Sequence, residues 1–201
     1  MAFDSTLPDP RTLERTCRGL ATLDAMLSAE WELRYFSFNA HWSAGQRMAS
    51  MRNGSGDEWF FVFGDGWVFF KAFWHEYPPE DVEAVYAGLP DLLLRQRHEP
   101  AFSMDQVTFG GFHDGTRWTL RGNPAPLEEL WPLLLGRAVA YRAFATEYFE
   151  RDVPLDAISH VLAAKPLLES LLVRIGSDRS LEALADDLAE IDYGAEAPST
   201  G

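Results

Sequence analysis

The chain has 201 residues, 47% of them hydrophobic and 24% charged, a balance that suits one globular unit and excludes a disordered or collagen-like chain. Its 31 acidic residues outnumber 17 basic ones, and a net charge of −14 without any cluster of Lys and Arg disfavours nucleic-acid and anionic-membrane binding. The single cysteine, Cys17, excludes an internal disulfide and a multi-cysteine zinc site, and fits a reducing cytoplasm.

Residues 1–10, rich in Pro and Asp, are expected to form a frayed lead-in, with no apolar stretch behind a basic one to make a secretory signal. No apolar run reaches the roughly 18 residues that a transmembrane helix needs. From Arg11 to about Glu30, Leu13, Cys17, Leu20, Leu23 and Leu27 recur at three- and four-residue steps, the stripe of an amphipathic helix. Cys17 lies on that stripe and reads as inert core. Glu30 to Asn39 (EWELRYFSFN) is expected to be the first strand, with Trp31, Leu33 and Tyr35 on one face and Phe36 and Phe38 on the other.

The segment from Ala49 to His75 organises the rest, and it holds three of the seven tryptophans. After a polar connection at 41–45, Gln46 to Arg52 is a strand with Met48 on one face and Ala49 and Met51 on the other. Asn53-Gly54-Ser55-Gly56 is a hairpin signal, because Asn and Gly tolerate positive φ. Asp57 to Phe63 is the next strand, and Trp67 to Trp74 returns after Gly64-Asp65-Gly66. In that returning strand Trp67, Phe69, Lys71 and Phe73 share one face and Val68, Phe70, Ala72 and Trp74 the other. Both faces are apolar, which predicts a central strand.

Pro78-Pro79 stops the sheet, and short helices are expected to Gly88 and over Asp91 to His98. A hairpin across Asp114-Gly115 joins strands at Asp105–Phe112 and Thr116–Arg121. From Pro126 the pattern is helical, with segments at 138–151, 154–163, 166–176 and 180–191, and the tail at 194–201 is disordered by composition. The expected architecture is α+β and a single domain over residues 11–193. A mainly antiparallel sheet of about six strands spans roughly 30–122, with an N-terminal helix and a helical C-terminal third over about 126–193.

Chemistry is less legible. The loop Arg52-Asn53-Gly54-Ser55-Gly56-Asp57-Glu58 concentrates polar groups between apolar strands. It offers backbone N–H groups, an Arg for a carboxylate or phosphate, and acids for a cation. It lacks the Gly-Lys-Ser/Thr ending of a nucleotide loop, and a plain hairpin turn with an Arg–Asp pair across the strand ends is the favoured reading. His75-Glu76 lacks the second His of the helical zinc motif, and His41, His98, His113 and His160 are scattered. His41 and His75 sit at strand ends that a fold could bring together, but capping or surface roles are favoured. Lys71 among aromatics is either a desolvated amine of lowered pKa or, more commonly, a side chain snorkelling to an acid. The tryptophans form a binding platform if exposed and core if buried, and core is favoured for each.

The stretches YFSFNAHWSAGQRMASMRNGSGDEWFFVF, EPAFSMDQVTF and TEYFERDVPLDAISHVLAAKPL resemble a group of bacterial proteins with no established activity. The resemblance runs over about residues 30 to 175 and is specific at SMRNGSGD. It implies a bacterial cytosolic protein and transfers no catalytic residue. The composition and architecture also resemble some immunity proteins that neutralise bacterial toxins. Two functions follow as expectations. The first is a non-enzymatic protein-binding or regulatory module that engages a basic partner and needs no cofactor or metal. The second is a small enzyme or ligand binder with a pocket over the aromatic sheet. The candidate site residues are Arg52, Asn53, Asp57, Glu58, Lys71 and His75.

Overall fold

The computed structural model describes residues 7–128 and 130–194. Its centre is a six-stranded antiparallel sheet in which the strands neighbour one another in chain order. They are β1 (Phe36–Ser43), β2 (Gln46–Arg52), β3 (Glu58–Phe63), β4 (Val68–Phe73), β5 (Phe109–His113) and β6 (Trp118–Gly122). Four of the five connections are short turns, and in the one after β2 Gly54 and Gly56 adopt φ of 74° and 107°; the fifth, from β4 to β5, runs through residues 74–108.

The helix α1 (Pro10–Leu27) packs on one face of the sheet. Asp9 starts it, its Oδ1 accepting the N–H groups of Arg11 and Thr12 at 3.1 Å each, and Pro10 sits where no N–H is needed. The frayed lead-in is thereby corrected for residues 7–10, since the Leu7 side chain is buried in the core. Residues 1–6, and the tail from 195 to 201, lie outside the described residues. The expected stripe of Leu13, Cys17, Leu20 and Leu23 is buried, but so is every residue from Thr16 to Met26. The sheet covers one side of α1 and the C-terminal helices cover the other.

Those helices are α3 (Trp131–Leu134), α4 (Ala138–Tyr148), α5 (Leu155–Leu162), α6 (Glu169–Ile175) and α7 (Ala185–Ile191), and α2 (Val82–Val85) is a single turn after β4. A Cβ at Gly19 would lie 3.1 Å from the Leu162 Cα, so the missing side chain is what lets α5 approach α1 closely. Polar residues trapped on α1 find partners. Arg18 donates to the carbonyls of Ile191 (2.5 Å) and Asp192 (2.8 Å) and to Glu14 (2.9 Å). Asp24 accepts the N–H groups of Tyr35 (2.9 Å) and Phe36 (2.8 Å) and the Tyr141 hydroxyl (2.7 Å). These bonds satisfy groups that would otherwise be costly to bury.

A second, smaller core lies on the other sheet face, where Met48, Phe60, Val62 and Phe69 meet Val85, Tyr86, Phe102 and Val107. Thus β4 is covered on both sides, as its two apolar faces require.

The first strand is a correction. Trp31–Leu33 forms a 3-10 turn, and β1 begins at Phe36 and runs through the expected connection to Ser43, with a register irregularity between Asn39 and Ser43. Asp24 sets the start, because it takes the Tyr35 and Phe36 N–H groups. The short helix at 91–98 is 3-10, and the C-terminal helices are shorter than expected. Among the described residues no helix is long and apolar enough to cross a membrane.

Candidate functional site

The β2–β3 hairpin is tied by side chains. Asn53 Oδ1 accepts the N–H groups of Ser55 (2.9 Å) and Asp57 (3.1 Å), and Asn53 Nδ2 donates to Asp57 Oδ2 (2.6 Å). Asp57 Oδ1 then accepts from His75, through its backbone N–H at 2.9 Å and its ring Nδ1 at 2.7 Å. Burial raises the Asp57 pKa, but these donors outweigh it and hold the carboxyl below its ordinary range. The loop therefore spends much of its hydrogen-bonding capacity on itself and on the residue following β4. The expected Arg–Asp pair is replaced by Arg52 facing Glu58, with Arg52 Nε 3.9 Å from Glu58 Oε2.

Glu58 is held closely by Lys71, whose Nζ lies 2.7 Å from Oε1. Register explains the meeting: Lys71 pairs with Phe60 and Glu58 with Phe73, so both side chains rise from the same sheet face one row apart. Lys71 is fully inaccessible, with its ammonium 5.6 Å from the Phe60 ring centroid and 5.5 Å from that of Phe73. Desolvation lowers its pKa, and Glu58 pulls part of the way back. This is an internal ion pair with aromatic walls, and no substrate can reach the amine in this conformation.

The six candidates thus form two joined groups, Asn53–Asp57–His75 and Arg52–Glu58–Lys71. The histidines separate: His75 lies at the Arg52 end of the sheet, whereas His41 lies toward the β1–β2 turn at the opposite end. Among the described residues no three His, Cys, Asp or Glu side chains gather as a metal site.

His75 and Arg52 are both exposed, and Arg52 opens onto a groove. The Arg52 side chain is 43% exposed, lies 5.1 Å over the Phe60 ring, and lines this groove, of about 260 Å³, above β1 and β2. Ser37, Asn39, Met48 and Ser50 also line this groove, with Trp31, Trp42, Ala101 and Glu190 around it. Trp31 is 50% exposed and Leu33 beside it is also exposed. The Tyr148 hydroxyl donates to the Leu33 carbonyl at 3.3 Å, and Tyr148 lines a second groove of about 560 Å³ with Tyr35, Phe144, Leu130, Leu133 and Glu147.

Tryptophan burial is therefore split. Trp59, Trp74 and Trp131 are core, Trp42, Trp67 and Trp118 are half-buried, and Trp31 is the exposed one. The sequence reading did not single out Ser37, Asn39 or Ser50, although their period-two spacing with Arg52 carried the signal. Comparison of the chain with protein-family models, curated proteins and solved structures finds no match.

Proposed function

We propose that the chain is a non-enzymatic binding module that engages a basic partner protein through the surface around Trp31 and Arg52. The bacterial, cytosolic and immunity-like settings suggested by the sequence belong to this same reading. The observation that carries it is the exposed Trp31, with Leu33 beside it, at the mouth of the Arg52 groove. A large exposed indole next to a recess is the anchor geometry of protein interfaces, and Trp and Arg are the residues most often dominant there. Glu30 and Glu32 flank Trp31 in the chain and Glu190 lines the groove, which gives the rim the charge that a basic partner complements.

The test is native mass spectrometry of the protein gently purified at low salt from its own source, beside Trp31→Ala and Arg52→Ala variants. A stoichiometric basic protein lost in both variants is the expected result. A bare chain, or a partner retained by both variants, overturns the proposal. A second reading has one observation in its favour: the same groove has a polar floor of Ser37 and Ser50 beside Arg52, which suits a small ligand. A small-mass adduct in place of a protein selects it.

A further inference from the structure

The end of the sheet away from Asn53 carries a separate cleft of about 200 Å³, lined by the start of α1, the β3–β4 turn and the β5–β6 turn. Arg47, Phe63, Val68 and His113 occupy one cross-strand row, so Arg47 and His113 come to this cleft from strands β2 and β5.

Arg47 is fixed by its bonds. Its Nε and Nη2 reach the two Glu14 carboxylate oxygens at 2.8 and 3.1 Å, and Nη2 also reaches the Gly64 carbonyl at 3.3 Å. Its Nη1 has no partner among the described residues. His113 is 8% exposed, and its Nδ1 accepts the Gly115 N–H at 3.1 Å. That bond places the proton of the neutral ring on Nε2, and Nε2 has no partner among the described residues. Burial lowers the His113 pKa, which keeps the ring neutral. Two placed donors therefore stand in the cleft without acceptors.

The acceptors and a wall are also present. Asp9 and Asp65 supply carboxylates, and Trp67 lies directly on Gly64, where an added Cβ would sit 2.0 Å from the indole. Around the lining Arg11 and Arg47 stand against Asp9, Glu14 and Asp65, so an anion gains nothing from the local charge. A ring hydroxyl donates and accepts at once, and the C–H face of a sugar ring packs on an indole. Fixed donors interleaved with carboxylates beside a tryptophan match that chemistry. The volume is below the roughly 300–1,000 Å³ of drug-sized sites, which suits a single ring.

We propose that this cleft binds one neutral sugar ring, with Arg47 and His113 donating to its hydroxyls, Asp65 accepting from them, and Trp67 packing on its face. The test is saturation-transfer NMR and intrinsic-fluorescence titration of the full chain with D-glucose, D-galactose, D-mannose, N-acetyl-D-glucosamine and inorganic phosphate. At least one sugar binds saturably, with Kd on the order of 1 mM, and Asp65→Asn and His113→Gln each weaken it about tenfold. Asp65 is an exposed turn residue, so its variant keeps the fold, and circular dichroism checks the His113 variant. Saturable binding of none of the four sugars, binding unchanged in Asp65→Asn, or binding of phosphate alone overturns the proposal.

Discussion

Asp57 and His75 are joined twice, since one carboxylate oxygen accepts both the backbone N–H and the ring Nδ1 of the histidine. The two bonds lock the turn after β2 to the chain leaving β4, across the end of β3. Removing the carboxylate strands the His75 N–H and the Asn53 amide together, so Asp57→Ala costs about 1–3 kcal/mol in urea unfolding at pH 7. His75→Ala loses only a half-exposed ring contact and costs under about 1 kcal/mol. Because the folded Asp57 pKa is lowered, its contribution is full above the ordinary carboxylate value and is lost as pH falls through the lowered folded value. The gap between parent and Asp57→Ala therefore narrows when unfolding is repeated at pH 3.

Lys71 and Glu58 give an asymmetric pair of outcomes. Glu58→Ala leaves an inaccessible ammonium without its carboxylate and destabilises by about 3 kcal/mol, read from chemical denaturation. Lys71→Met keeps the packing among Phe60 and Phe73 and releases Glu58 toward Arg52, and it is neutral to stabilising. If Lys71→Met also retains partner binding, the lysine is structural.

Asp24 makes stability fall from acid to neutral pH. Its complete burial pushes the carboxyl up to about 7, against the pull of the Phe36, Tyr141 and Tyr35 hydrogen bonds and of Arg34. Between about 3.9, the unfolded value, and about 7 the folded chain holds a proton that the unfolded chain releases, so stability falls as pH rises through that window. The span is on the order of 4 kcal/mol. Asp24→Asn keeps an acceptor for the two backbone N–H groups and turns the other atom into a donor toward Tyr141. Between pH 5 and pH 7 the melting temperature of the parent falls relative to that of this variant, and the difference levels off above pH 7.

Gly64 and Trp67 are coupled by contact. Gly64→Ala drives a Cβ into the indole and costs about 1–3 kcal/mol, whereas the Gly64→Ala, Trp67→Ala double variant recovers part of that loss. A double-mutant cycle from denaturant midpoints checks the coupling. Additive losses would show that the ring is held elsewhere.

The meander was legible because its signals are local. Alternation over Gln46–Arg52 and Val68–Phe73 assigns faces that match the two cores, and the Asn-Gly and Gly-Asp-Gly turns lie where the strands reverse. Trp31–Leu33 misled because alternating apolar residues read as strand, while the bonds that start β1 come from Asp24, eleven residues before Tyr35. The Lys71–Glu58 pair was half legible: an acid partner was expected, but its identity depends on register. The His113 cleft was not legible at all. It draws on residues near 9–14, 47, 64–67 and 113–115, and no spacing along the chain relates them.

Arg18 has an implication for how the molecule is made. Its carbonyl partners at Ile191 and Asp192 lie 173 and 174 positions further along the chain. The sheet can add strand after strand as it emerges from the ribosome, since each strand pairs with the one just before it. The first helix has no such option. During translation its guanidinium waits for the end of the last helix, and its outer apolar side waits for the helices from 131 onward, α5 above all. At residue 122 the nascent chain can hold a complete sheet while the outer side of α1 is still uncovered. The time when it most needs shielding falls after residue 122 has been added and before residue 192 has cleared the exit tunnel.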